Sequence, residues 1–148
     1  MAAITFNVSL GKVAYYASLP GASDSLIAVL LQSANLVSDG TLRDYDDLAA
    51  VLAGTSDEAD FAGYSRQNLA NVNVTIDDTN NRVDITCDDP SWSPTASQAL
   101  GKIIFCYKPS STAVDADIIP LFADDFAVTV STGTVTYQVA ADGFYRCS

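Results

Sequence analysis

Residues Asn71 to Asp88 read NVNVTIDDTNNRVDITCD, and apolar and polar residues alternate here on both sides of Asp77–Asn81. Alternation with a period of two around an Asp- and Asn-rich turn is typical of a β-hairpin with one apolar and one polar face. We expect the rest of the chain to supply the elements that cover the apolar face. That face is predicted to contain Val72, Val74, Ile76, Val83, Ile85 and Cys87.

Four other segments have strand-like patterns. Ile4–Leu10 alternates and predicts a first strand. Leu26–Leu31 is a continuous apolar run that we interpret as a buried strand, although periodicity alone leaves a buried helix open. Gly101–Tyr107 is apolar on both faces, which favours a central strand. The alternation from Phe126 to Val139 predicts a second hairpin.

Helical patterns are fewer. Asp44–Gly54 has acidic residues in its first turn, alanine and leucine in its body and glycine at its end, which predicts a helix. Thr55–Phe61 could add another helical turn, and Lys12–Leu19 fits either a strand or two turns of helix. A turn is predicted at Ser38–Gly40 and loops at Asp89–Pro94 and Ala113–Pro120.

These patterns amount to six or seven strands and one short helix. We therefore expect a mainly β fold, an antiparallel β-sandwich with a short helical insertion, and keep an α+β fold as the alternative. The 148 residues fit a single β-rich domain over 1–148, which is long enough to bury a core without disulfides.

The charge of the chain limits its partners. Eighteen acidic and seven basic side chains give a net charge of −11. Such a charge repels phosphate backbones and anionic lipids, so we expect no nucleic-acid or membrane partner. The excess of acidic groups is explained most simply by solubility. The alternatives are a docking surface for a basic partner and occasional cation binding. We find neither a secretory signal nor an apolar run of the roughly 20 residues that a spanning helix needs, and expect folding in a cytoplasm.

No catalytic or cofactor-binding residue is predicted. The chain has no histidine, which removes Ser-His-Asp and Cys-His sites and every histidine-containing metal site. A Ser-Lys pair stays formally open, but no motif places a serine beside Lys12, Lys102 or Lys108. Adjacent carboxylates are best explained by turn and cap chemistry. We therefore expect a protein that is not an enzyme.

The segment Asp77–Asn81 is the most calcium-like part of the sequence, because carboxylate and amide oxygens crowd a short loop. It lacks the spacing of an EF-hand, so a plain hairpin turn is preferred and no metal site is predicted.

Cysteines and aromatic residues are interpreted structurally. Cys87 and Cys106 look like small core residues, Cys147 could be exposed, and all three are expected to be free thiols. Stacking on sugars or bases is possible for the larger rings, but packing in the core or against a protein is preferred because the chain lacks a basic groove. These rings are Tyr15, Tyr16, Tyr64, Trp92 and Tyr145.

Five stretches stand out when the chain is taken in order: SLIAVLLQSANL, TLRDYDDLAAVLAGTSDEADF, Tyr64-Ser65-Arg66 before VTIDDTNNRVDI, LGKIIFCY before DADIIPLFADDFAVTV, and VAADGFYR. In this order they resemble small structural proteins of tailed bacteriophages, encoded among head and tail genes. The resemblance runs from about Leu26 to Arg146, and no motif in it carries chemistry.

The resemblance implies a non-enzymatic virion protein that is assembled in the host cytoplasm. The leading expectation is a capsid decoration protein that binds the major capsid protein on the outside of the head and stabilises it, as a symmetric homo-oligomer. One alternative is a tail, neck or head-fibre component used in host attachment. A third class, without a phage role, is a calcium- or carbohydrate-binding β-sandwich module.

Overall fold

The strands pair in antiparallel fashion throughout the computed structural model, which describes residues 3–148. The strands are β1 Ile4–Thr5, β2 Ser25–Gln32, β3 Gln67–Asn68, β4 Asn73–Asp77, β5 Arg82–Thr86, β6 Ser91–Trp92, β7 Gln98–Lys108, β8 Ile119–Asp125, β9 Thr129–Val130, β10 Val135–Thr136 and β11 Tyr145–Cys147. The helices are α1 Val13–Ser18, α2 Asp39–Leu42 and α3 Leu48–Ala53, with 3-10 turns at Asn7–Ser9 and Asp115–Asp117.

The main sheet has the order β1-β8-β7-β2-β3, and β9 also pairs with β7. Strands β2 and β7 are apolar on both faces because both faces of this sheet are covered. Along β2, Leu26, Ala28 and Leu30 belong to one core cluster. Their neighbours Ile27, Val29 and Leu31 belong to the other. The β2–β7 pair therefore separates two layers of hydrophobic packing.

The two layers differ in what covers them. The layer with Leu26 packs against α1 and against residues of the small sheets β11-β5-β4 and β10-β6, such as Ile85 and Trp92. The layer with Ile27 packs against Leu42 of α2 and against α3. The predicted fold class is confirmed: the chain is mainly β, with a sandwich-like packing of antiparallel sheets and short helical elements.

The hairpin predicted around Asp77–Asn81 is confirmed as β4 and β5, but it does not occupy the centre of the fold. Its inward face is only partly covered, since Ile85 is fully buried whereas 72% of Ile76 is exposed. On the outward face Asp84 is buried, which alternation alone did not predict.

The predicted first strand is wrong beyond Thr5. A 3-10 turn follows, in which the hydroxyl of Ser9 donates to the carbonyl oxygens of Phe6 at 3.1 Å and Leu121 at 3.0 Å. These bonds hold the backbone in a turn, so Leu10 points into solvent, although Ile4 and Phe6, which the alternation places on the same face as Leu10, are buried.

The predicted second hairpin is also wrong. Strand β9 pairs with β7, and β10 pairs with β6, so the two alternating segments have different partners. Each segment has one side chain that is buried in this arrangement, Val130 in the first segment and Tyr137 in the second. Two strands lie where loops were predicted: β6 within Asp89–Pro94, and β8, which begins inside Ala113–Pro120.

The helices are more numerous and shorter than predicted. The Asp44–Gly54 helix begins only at Leu48, because the Asp47 carboxylate accepts a hydrogen bond from the Ala50 N–H at 2.7 Å and caps the helix there. Lys12–Leu19 contains α1, and Ser38 caps α2 where a turn was predicted.

The helical turn considered for Thr55–Phe61 does not form. Glu58 instead makes a β-bridge with Leu31, and Ala59 donates a backbone hydrogen bond to the carbonyl of Leu30 at 2.8 Å. The segment therefore runs extended along β2.

Candidate functional site

The small sheet β11-β5-β4 extends beyond the core that it covers. Its inward face has two cross-strand rows, because residues two apart on a strand share a face. The rows are Val74–Ile85–Tyr145 and Ile76–Val83–Cys147. The first row packs in the core. The second is left largely uncovered, since Ile76 and Cys147 are exposed.

A shallow groove of about 300 Å³ follows this second row. Apolar contact is supplied by Ile76, Val83 and Cys147, and the rim is polar. The rim residues are Asp77, Asp78, Asn81, Arg82 and Ser148. We call this groove with the adjoining strand β4 the hairpin surface.

Ion pairs order the outward side of the same sheet. The Arg82 Nε lies 3.2 Å from Asp77 Oδ2 and 3.1 Å from Asp84 Oδ2. The Arg146 Nε donates to Asp84 Oδ1 at 2.6 Å, and its Nη2 lies 2.8 Å from Asp142. The hydrogen bond from Arg146 lowers the pKa of Asp84 below its ordinary value. Both arginines are thus held by carboxylates of this chain.

The hairpin turn is closed by its own donors. The Asp77 Oδ1 accepts from the Thr79 and Asn80 N–H groups at 3.1 Å each, and its Oδ2 accepts from the Asn80 Nδ2 at 2.7 Å. Asn81 has a φ of 51°, the left-handed conformation that asparagine tolerates. Within residues 3–148, no group of three or more acidic or cysteine side chains is arranged to hold a metal ion. The side chain of Asp77 thus closes the turn between β4 and β5.

Exposed apolar groups also surround α1. Tyr15 is 61% exposed and Leu10 59%, while Val13 and Ala17 on the opposite side of the helix are buried. The helix packs against β4 and β5, which places it beside the hairpin surface.

A fully buried lysine, Lys102, lies on the central strand β7 of the main sheet. The Lys102 Nζ on β7 lies 2.5 Å from Asp125 Oδ1 on β8 and 2.9 Å from Asp39 Oδ1 on α2. Burial lowers the pKa of Lys102, but the hydrogen bonds to Asp125 and Asp39 and the charges of these carboxylates together have the larger effect. The pKa of Lys102 is therefore raised above its ordinary value. The pairs tie α2 to the sheet beside a cavity of about 620 Å³. The cavity is lined by Ser33, Leu36, Val37, Ser38, Leu100, Gly101, Asp125 and Ala127.

A third charged cluster is built on Arg66. Its guanidinium makes two hydrogen bonds to Glu58, at 2.8 and 2.7 Å, and two to Asp115, at 2.5 and 3.1 Å. The Tyr64 hydroxyl donates to Glu58 at 2.7 Å and accepts from the Leu30 N–H at 3.2 Å. Two-pronged arginine–carboxylate pairs are rigid, so this cluster fastens three loops to β2.

Replacing Tyr64 with phenylalanine is expected to lower the free energy of unfolding by about 1.5 kcal/mol, because the Leu30 N–H and Glu58 each lose a partner. Tyr15→Phe is the matched control, since the exposed Tyr15 hydroxyl makes no hydrogen bond within residues 3–148. Urea unfolding followed by the fluorescence of Trp92, which is buried and is the only tryptophan, measures both. Equal effects of the two substitutions would contradict the role of Tyr64.

The paired carboxylates predict a loss of stability in acid. Hydrogen bonds from Arg66 and Lys102 lower the pKa values of Asp115 and Asp125 in the folded state. A lowered folded-state pKa gives stability above the unfolded-state pKa, and this is lost as the pH falls through the folded-state value. We expect the urea midpoint to be nearly constant down to about pH 5 and to decrease below about pH 4.

A pair of variants tests the source of this acid sensitivity. Asp115→Asn is expected to lower the midpoint at neutral pH and to make the acid decrease shallower. Asp117 lies in the same 3-10 turn, is exposed, and has no ion pair within the described part of the chain. The dependence of the urea midpoint on pH for Asp117→Asn should therefore follow that of the unaltered protein.

The other residues singled out in the sequence are dispersed. Trp92 is buried and donates its Nε1–H to the Ser65 carbonyl at 2.8 Å. Tyr145 packs edge-on against Phe122 with ring centroids 5.5 Å apart. Burial raises the pKa of the Cys87 thiol to about 12, and Cys106 is fully buried. All three cysteines are free.

Sequence reasoning did not foresee the charged clusters. A lysine inside the apolar stretch from Leu100 to Tyr107 was the available signal for Lys102, since a buried charge requires partners. Nothing in the sequence connected Arg66 to Glu58 and Asp115.

Among residues 3–148, none of the helices has the length and apolar character required to cross a bilayer. Comparison of the chain with protein-family models, curated proteins and solved structures finds no match.

Proposed function

We propose that this chain is a non-enzymatic structural protein of a tailed-bacteriophage virion, which binds the major capsid protein on the outer surface of the head and stabilises the shell. The observation that carries the proposal is the exposure of large apolar side chains on ordered elements, above all Ile76 on β4 and Tyr15 on α1. The proposal assigns these side chains to the surface that the capsid protein covers.

Three further features support an assembly role. The phrases from Leu26 to Arg146 resemble small phage structural proteins. The net charge of −11 favours a partner with a basic surface. The main sheet is covered on both faces, so the core is complete without a partner, and a partner adds contacts only at the periphery. A decoration protein of this kind is folded before it docks.

The copy number of this chain in purified virions tests the proposal. Quantitative mass spectrometry against the major capsid protein is expected to give a number of the same order for both. A few copies per particle would move the chain to the tail, neck or a head fibre, the alternative that the same resemblance allows. Its absence from the particle would refute the virion role.

Capsid stability provides the matching functional measurement. Shells that lack the chain are expected to open at a lower temperature, and adding the purified protein should restore the higher temperature. Ile76→Ser protein should restore it less well. Val114→Ser is the control, because Val114 is also exposed, at 62%, but lies on another loop.

The calcium-binding alternative has less support, because the oxygens of Asp77 already accept three hydrogen bonds from Thr79 and Asn80. A rise in melting temperature on adding calcium, abolished by Asp77→Asn with Asp78→Asn, would favour that alternative.

A further inference from the structure

Strand β4 is an open edge of a sheet. It pairs with β5 on one side, and within residues 3–148 its backbone makes no hydrogen bond to any other strand or loop. The backbone groups on its outer side therefore have no partner strand within residues 3–148, and Asn73, Thr75 and Ile76 are exposed, which is the arrangement that accepts an additional strand.

This edge lacks several of the features by which proteins block strand addition, and its one charged residue, Asp77, lies at its end. Strand β4 reads NVTID and contains no proline, lysine or bulge. Valine, threonine and isoleucine favour extended backbone, so the edge is held in the conformation that pairing requires. An unprotected edge in a folded protein is expected to be covered in its assembled state.

The groove beside β4 offers an anchor for the added strand. Ile76 is 72% exposed, and the half-buried Val83 and the exposed Cys147 continue its row across the sheet. A strand that pairs with β4 places every second side chain on this same face. Apolar residues at those positions would cover Ile76.

Charge selects the partner. Asp77, Asp84 and Asp142 make ion pairs with the two arginines of this sheet, Arg82 and Arg146. Asp78 on the groove rim makes no ion pair within residues 3–148, so acidic groups exceed basic groups here. A second copy of the chain brings a net charge of −11 and is repelled. A segment that carries lysine or arginine between its apolar residues is attracted.

We propose that the hairpin surface binds an extended segment of a partner protein, with alternating apolar and basic residues, as an additional strand on β4. This inference rests on the proposed function, because the segment would belong to the major capsid protein. It deepens that function by specifying how the two proteins join.

A short synthetic peptide that alternates lysine and valine is the probe, and amide hydrogen exchange of the full chain is the measurement. Strand addition is expected to slow exchange at β4 about tenfold or more, while β7, already central, changes little. A glutamate–valine peptide tests the sign of the charge, and a lysine–glycine peptide tests the need for apolar side chains.

Substitutions locate the contact. Ile76→Ser is expected to weaken binding of the lysine–valine peptide about tenfold, because it removes the exposed anchor. Val114→Ser is the matched control and should leave the affinity unchanged. Asp78→Lys should weaken binding and reduce its salt dependence, whereas Asp117→Lys, an exposed position on another loop, should have a smaller effect.

Several results would overturn the inference. They are unchanged exchange at β4, equal binding of the glutamate–valine or lysine–glycine peptide, and association of the chain with itself through β4 in place of peptide binding. If the peptide binds as expected but the chain is absent from virions, the surface stands and the virion role falls. If the chain is abundant in virions but the peptide does not bind, strand addition alone is refuted.

Discussion

Replacing Phe105 with alanine is expected to lower the free energy of unfolding by about 4 kcal/mol, because Phe105 joins the main sheet to the hydrophobic layer that contains Phe144 and Tyr137. The side chain is fully buried on β7 and stacks on Phe144 with ring centroids 4.4 Å apart. It also packs against the rings of Phe122 and Tyr137, with centroid separations of 6.2 Å and 5.6 Å. Truncation leaves a cavity that these rings cannot fill without leaving their own positions.

Phe126→Ala is the control for this prediction. Phe126 is only partly buried, and among residues 3–148 it contacts a single ring, that of Tyr137, with centroids 5.5 Å apart. The same truncation is therefore expected to cost about half as much. Urea unfolding followed by Trp92 fluorescence measures both variants. Equal losses would show that the ring cluster around Phe105 has no special weight.

Replacing Lys102 with methionine is expected to lower the free energy of unfolding by about 3 kcal/mol at neutral pH. Methionine fills a similar volume, but Asp39 and Asp125 lose their shared cation. Both carboxylates keep some access to water, at 22% and 27% side-chain exposure, which places the effect at the lower end of the range for a broken buried pair.

Two controls separate charge from packing at Lys102. Lys12→Met makes the same exchange at an exposed site and should change the stability by less than about 0.5 kcal/mol. Adding Asp39→Asn to Lys102→Met should recover part of the loss, because one uncompensated carboxylate is removed. The deficit of Lys102→Met should also shrink below about pH 4, as Asp125, whose pKa Lys102 lowers in the unaltered protein, takes up a proton. A deficit that does not change with pH would assign the effect to packing.

The sequence predicted those elements whose pattern is local. Alternation around Asp77–Asn81 predicted β4 and β5, and continuous apolar runs predicted β2 and β7. Tyr145 packs against Phe122 as preferred for the larger rings, and its neighbour Phe144 stacks on Phe105. These patterns succeed because the periodicity of a strand and the burial of its faces are recorded in adjacent residues.

The failures concern pairing over long distances. The alternation from Phe126 to Val139 predicted one hairpin, but a local pattern does not identify the partner of a strand. The first half pairs with β7 through β9, and the second half pairs with β6 through β10. The β1 segment is ended by the Ser9 hydrogen bond to Leu121, a residue far away in sequence. For the same reason the sequence did not reveal that the hairpin extends beyond its core and leaves Ile76 uncovered.

The order β1-β8-β7-β2-β3 also has a kinetic consequence. Ser25 of β2 pairs with Lys108 of β7, and Ile4 of β1 pairs with Ala123 of β8, so the central ladders join residues distant in sequence. Folding rates fall as the mean sequence separation of contacts grows, because loop closure costs entropy before any contact compensates for it. During synthesis, the sheet cannot form before β7 leaves the ribosome. The ring of Phe144, stacked on Phe105, completes the core only after almost all of these residues have been translated.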